Sequence, residues 1–92
     1  QQSESPLALL DLIREMRDEM AKAGFTALRT LPFPQPCYPT GWWSCTMARK
    51  RDAFDFREDA ARGKRFPTLY YSAEVHRGAL ALPPFVAEAL RA

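Results

Sequence analysis

The chain has 92 residues, 47% apolar and 26% charged, which bounds it to one small globular domain with a modest core. Thirteen basic and 11 acidic residues leave a net charge of +2, too weak a balance to argue for a nucleic-acid or membrane-surface partner. No apolar run reaches the length of a membrane span, and no secretory leader is visible.

Gln1 to Ser5 is polar and reads as having no strand of its own. Ser5-Pro6 reads as a helix start, with Ser at the N-cap and Pro at the first helical position. Leu9, Leu12, Ile13, Met16 and Met20 then fall on one apolar stripe, with Arg14, Arg17, Asp18 and Lys22 off it. Asp18 and Lys22 form a favourable i, i+4 pair, and Gly24 suits a left-handed C-cap. The spacing predicts a helix from Pro6 to Ala23, packed through one face.

Phe25 to Leu31 alternates imperfectly as a strand, with Arg29 marking a partly solvated side. Trp42 to Ala48 reads as a second strand, rich in β-favouring residues. The two would pair antiparallel. Between them Phe33-Pro34-Gln35-Pro36-Cys37-Tyr38-Pro39-Thr40-Gly41 holds three prolines, so a rigid, irregular loop is expected. About nine residues is long for a hairpin connection and hints at a role. Composition leaves two readings open, a ligand wall presenting Tyr38 or a turn whose aromatics are core.

Arg49 to Lys64 carries alternating charge and reads as a solvated excursion, a loop or short helix. Phe66, Leu69, Tyr70 and Tyr71 are expected to pack back on the sheet. Ser72 is a good N-cap, with Glu74 in the following first turn. Leu82-Pro83-Pro84 ends that helix, and a last one begins at Pro84 or Phe85 and runs to Leu90. One helix and two antiparallel strands do not make a convincing independent fold. The order looks like the last wing of a larger α/β sheet whose parallel strands lie upstream.

Chemistry is sparse on spacing alone. Cys37 and Cys45 show neither zinc nor Cys-x-x-Cys spacing and read as reduced thiols of a cytoplasmic protein. No metal site is expected. The four glycines are isolated, so no phosphate loop is present, and no carboxylate pair divides acid from base. His76, the one histidine, reads more readily as structural than catalytic.

Three motifs in order add to this. Gln2-Ser3-Glu4 precedes the first helix. Pro36-Cys37-Tyr38-Pro39-Thr40-Gly41 forms a turn before a strand. Tyr70-Tyr71 leads to Val75-His76-Arg77-Gly78-Ala79-Leu80-Ala81-Leu82-Pro83. Together they resemble the C-terminal third of the spermidine synthases, the polyamine aminopropyltransferases, over nearly all of residues 1–92, with Arg49 to Phe66 weakest. Leu80 stands where Phe is common in that family.

The resemblance implies the end of a Rossmann-like class I methyltransferase fold: a helix, two terminal strands with the last antiparallel, and short C-terminal helices. It implies polyamine biosynthesis, in which an aminopropyl group passes from decarboxylated S-adenosylmethionine to a diamine such as putrescine, giving spermidine and methylthioadenosine. Gln2 and Tyr38 match the family's substrate-side Gln and Tyr, Tyr38 with an orienting role. Trp43 matches a pocket wall, and Glu4 is a further candidate for the distal ammonium. His76 belongs to a packing motif. The donor loop, the ribose-binding acid and the catalytic aspartate all belong upstream, so no cofactor is held by this segment and the chain alone is expected to be inactive. A homodimer or higher homo-oligomer, with no nucleic acid and no membrane, is implied. Two other readings stay open: a non-catalytic interaction module keeping a remnant of the fold, and the tail of an ordinary S-adenosylmethionine methyltransferase.

Overall fold

The computed structural model describes residues 1–51 and 55–91; Asp52, within the charged stretch read as a solvated excursion, lies outside them, as does Ala92. Seven elements follow in order: β1 (Gln2–Ser3), α1 (Leu10–Lys22), β2 (Ala27–Pro34), β3 (Trp42–Arg49), α2 (Glu58–Arg62), α3 (Ala73–Ala79) and α4 (Pro84–Ala89). The strands form one antiparallel sheet in the order β1-β3-β2. The expected β2–β3 pairing is found, with Ala27 opposite Arg49 and Pro34 opposite Trp42.

The amino terminus departs from expectation. Gln2 and Ser3 do form a strand, opposite Cys45 and Ser44. No alternation could announce it, because two residues carry no period; its partner strand defines it. The first helix also begins later than the Ser5-Pro6 signal suggested. Ser5 Oγ does accept from a nearby backbone N–H, that of Leu7, at 3.2 Å. Yet that bond caps only a turn, closed by Leu9 N–H on Ser5 O at 2.9 Å, and α1 starts at Leu10 with no side-chain cap. At its other end the helix stops as predicted. Gly24 has φ +99°, its N–H reaches Ala21 O at 3.0 Å, and Phe25 N–H reaches Met20 O at 3.1 Å, the paired bonds of a Schellman motif. The surface ion pair joins Lys22 to Glu19 at 3.1 Å instead of to Asp18.

Prolines extend β2 where a loop was expected. Pro32 and Pro34 lie two apart, and in an antiparallel ladder alternate residues direct their N–H groups away from the partner. β2 is at the sheet's edge, so neither missing donor costs a ladder bond. The connection therefore shrinks to Gln35–Gly41.

One face of the sheet is covered by α1 and α4; the other carries α3 along β2 and is otherwise open. Ile13 of α1, Val86 of α4 and Leu90 form the buried core, with Leu10, Trp42 and Leu82 against it. The predicted stripe meets this core mainly through Ile13, while Leu9 and Leu12 stay exposed. Strand alternation puts Ser3, Thr30, Pro32, Ser44 and Thr46 on the helix-covered side, and all five are buried. Their hydroxyls satisfy one another. Arg17 Nη1 donates to Thr30 Oγ1 at 2.9 Å, Thr30 Oγ1 meets Thr46 Oγ1 at 2.8 Å, and Thr46 Oγ1 meets Ser3 Oγ at 3.1 Å. Ser44 Oγ reaches Ser3 Oγ at 3.1 Å and donates to the Glu4 carbonyl at 2.7 Å. This chain of bonds crosses all three strands. Burial pulls the Arg17 guanidinium below its ordinary range, against a smaller opposing pull from Asp18.

The accessible surface is 6490 Å². A compact protein of 10.5 kDa is expected to expose roughly 5,400 Å², so this chain leaves about a fifth more in solvent. Part of the excess is apolar: Phe66, Leu69 and Tyr70, expected to return to the sheet, are instead exposed.

Candidate functional site

The open face of the sheet is the candidate site. Gln2 opposes Cys45, Phe33 opposes Trp43, and Arg29 opposes Met47, so all six share the side away from α1 and α4. The register thus brings Gln2 and Trp43 to one sheet face, with Glu4 directly after β1.

Tyr38 joins them from the Gln35–Gly41 loop. Its ring meets the Trp43 ring edge-on, with centroids 4.6 Å apart and planes at 62°. The loop is held by successive turns: Tyr38 N–H to Gln35 O at 3.1 Å, Gly41 N–H to Tyr38 O at 3.0 Å, and Gln35 N–H to Gly41 O at 2.8 Å. In the turn from Tyr38 to Gly41, Pro39 takes the first corner and Thr40 the second, with φ +74°. That conformation is natural for Gly and costs an L side chain roughly 1–2 kcal/mol.

The Gln2 amide, the Glu4 carboxylate and the Tyr38 hydroxyl have no hydrogen-bond partner among the described residues. The Trp43 indole N–H is buried and also lacks one among those residues. Two oxygen acceptors and a hydroxyl beside an edge-on aromatic pair suit an ammonium group on an alkyl chain. The acceptors take N–H donors, and the ring faces attract a cation and cover methylenes.

Farther along the same face, a groove of about 780 Å³ is lined by Arg29, Met47, Phe56, Phe66, Tyr71 and His76, among others. His76 is packed on two sides. Phe56 stacks on it at 3.9 Å, and Tyr71 Oη is 2.8 Å from its Nδ1. Arg77 lies 4.8 Å over the other ring of that stack, Phe56. Behind them Glu58 bonds Arg77 at 2.5 Å and Arg62 at 2.7 Å, and Arg62 also pairs with Glu74. The bonds from Arg77 and then Arg62 hold the Glu58 carboxyl below the usual range, and Arg62 does the same to Glu74. α2 thereby ties the charged excursion to α3, whose N-cap is formed as expected, with Ser72 Oγ accepting from Val75 N–H at 3.0 Å.

Sequence reasoning missed Phe56, Met47 and the groove they line. The charge around Phe56 concealed it. The signal for Met47 was present, since Trp43, Cys45 and Met47 share one strand parity. Both cysteines are free thiols. Among the described residues no cluster of three or more His, Cys, Asp or Glu could hold a metal ion, and no helix is long and apolar enough to cross a membrane.

This arrangement of sheet and short helices recurs in solved spermidine synthases. The spermidine synthase solved with the transition-state analogue AdoDATO superposes with a TM-score of 0.81 at 29% identity, covering 97% of this chain and 32% of that one. The Thermotoga maritima spermidine synthase gives 0.80 at 29%, covering 97% and 31%. Among curated proteins, the polyamine aminopropyltransferase of Xanthomonas axonopodis pv. citri is 70% identical over 98% of this chain. Those of Xanthomonas oryzae pv. oryzae and Xanthomonas campestris pv. campestris are 68% and 67% identical over the same share. The chain spans about a third of the length of these relatives, 32% in each case. The resemblance carried by the three sequence motifs therefore holds along almost the whole chain. No protein-family model matches it.

Proposed function

We propose that this chain supplies the amine-binding side of a polyamine aminopropyltransferase, within a Rossmann-like methyltransferase fold completed by sequence beyond these residues. The reading rests on one observation above all. Gln2 of β1 and Trp43 of β3 share one sheet face by register, Glu4 follows directly on β1, and Tyr38 of the Pro-rich loop packs on the Trp43 ring. In this reading Gln2 and Glu4 accept from the ammonium groups of a diamine such as putrescine, Trp43 walls its methylenes, and the Tyr38 hydroxyl orients the attacking nitrogen.

The reaction is a displacement at carbon. The neutral amine's lone pair attacks the methylene next to the sulfonium of decarboxylated S-adenosylmethionine. The carbon–sulfur bond breaks, sulfur keeps the electron pair as methylthioadenosine, and the amine's proton passes to a base. That base and the donor-binding groups lie outside this chain, so residues 1–92 alone are inactive in this account. The excess apolar surface is what the rest of the enzyme, or a second copy in a homo-oligomer, would cover. A cytoplasmic enzyme fits the free cysteines.

Replacing Tyr38 by Phe in the complete gene product tests the reading. Turnover of the diamine should fall at least tenfold while donor affinity stays within twofold. Unchanged diamine turnover would refute the role of Tyr38.

A further inference from the structure

Thr40 sits in a backbone conformation that its own side chain disfavours, yet its hydroxyl is fully engaged. A Cβ-bearing residue at φ +74° in the second corner of this turn is unusual; glycine would adopt it freely. Yet Thr40 Oγ1 makes three contacts that glycine could not. It lies 2.7 Å from Ser5 Oγ, donates to Trp42 O at 3.0 Å, and accepts from Trp42 N–H at 3.3 Å. With its one proton on Trp42 O, it accepts from Ser5. Ser5 is buried, and its Oγ is fixed in turn by Leu7 N–H. Backbone strain retained with a hydroxyl bridge is a pattern of positioning.

The bridge is placed between the two halves of the candidate site. Ser5 directly follows Glu4, and Thr40 is two residues past Tyr38. No strand pairing joins these segments: β1 ends at Ser3 and β3 begins at Trp42. We infer that Ser5 and Thr40 form a positioning clamp, holding the Tyr38 loop in fixed register with the Gln2–Glu4 segment so that both ends of one diamine are gripped together. This rests on the amine-binding reading above. Neither residue touches substrate in this role; each acts through its neighbour.

Steady-state kinetics on the complete gene product test the clamp. Thr40→Gly keeps the turn and deletes the hydroxyl, and Ser5→Ala deletes the other half. Each should raise KM for putrescine roughly tenfold and leave KM for the sulfonium donor within twofold. Because both remove the same bridge, the double variant should be no worse than either single one. Thr40→Ser should restore the parent value, and thermal unfolding should show Thr40→Gly folded. Multiplying effects in the double variant, or an unchanged putrescine KM in folded Thr40→Gly, overturn the clamp. If Tyr38→Phe in the same experiment also leaves diamine turnover unchanged, the amine-binding reading itself fails. If Tyr38→Phe is impaired while the clamp variants are silent, the clamp alone fails.

Discussion

Thr46→Val should destabilise the complete gene product although it makes the interior more apolar. Thr46 is 1% exposed and sits at the centre of the hydroxyl chain, 2.8 Å from Thr30 Oγ1 and 3.1 Å from Ser3 Oγ. Valine has nearly the same shape, so packing is conserved and no cavity opens. Two buried hydrogen bonds are lost, each contributing about 0.5–1.5 kcal/mol net. Ser3 and Thr30 are then left short of a partner, although Thr30 keeps the bond from Arg17. The sum is about 2 kcal/mol, or a fall in Tm of about 4–8 °C for a domain of ordinary size. Thr46→Ser keeps the hydroxyl and loses one methyl, near 1 kcal/mol. Thermal unfolding of the three proteins should therefore rank Thr above Ser above Val. A Val variant as stable as the parent, or more stable than the Ser variant, would refute the claim that hydroxyl bonds hold this face. The effect should extend to function, because the chain of bonds ends on Ser3 and the Glu4 carbonyl and so anchors Gln2 and Glu4. KM for the diamine should rise in Thr46→Val.

Three further predictions follow from local structure. Gly24→Ala should cost about 1 kcal/mol by equilibrium denaturation, through backbone strain alone, since a Cβ there would meet nothing within 4 Å; a neutral result would contradict the Schellman assignment. Ile13→Ala should cost about 2–5 kcal/mol, because Ile13 is the only α1 residue fully inside the core; a loss below about 1 kcal/mol would mean the α1–α4 seam carries little. Glu58 and Glu74 have depressed pKa values, so their pairing stabilises fully above the ordinary carboxylate range near about 4.3 and is lost as pH falls below it. Amide protection factors in α2 and α3, corrected for the intrinsic pH dependence of exchange, should fall below about pH 4, and less so in Glu58→Gln; an equal fall in both would rule out the ion network as the cause.

Regular elements were legible where sequence period is strong. The end of α1 at Gly24, the β2–β3 pair and the Ser72 cap all follow from local rules. β1 was not legible, because a two-residue strand exists only through its partner. The start of α1 was misjudged because Ser5 spends its hydroxyl on a turn and on Thr40 instead of on a helix. The larger surprise concerns the faces of the sheet. The covered face carries Ser3, Thr30, Ser44 and Thr46, while Leu31, Phe33, Trp43 and Met47 occupy the open one. A rule that sends apolar residues inward therefore misplaces these eight residues, while Pro32 and Trp42 do lie on the covered side. Such an inversion is expected where an apolar face awaits a ligand or further protein. The residues of the candidate site came from family resemblance; strand register sets Gln2 and Trp43 on one face, and a ring contact sets Tyr38 beside Trp43. Phe56 and its stack on His76 had no comparable signal, being surrounded by charge.

The most direct measurement is product identification with the complete gene product. It would be supplied with putrescine and either decarboxylated or intact S-adenosylmethionine, and read by mass spectrometry. Spermidine and methylthioadenosine should appear in equal amounts, from the decarboxylated donor only. Methylated amine with S-adenosylhomocysteine, or no transfer from either donor by a well-folded protein, would contradict it.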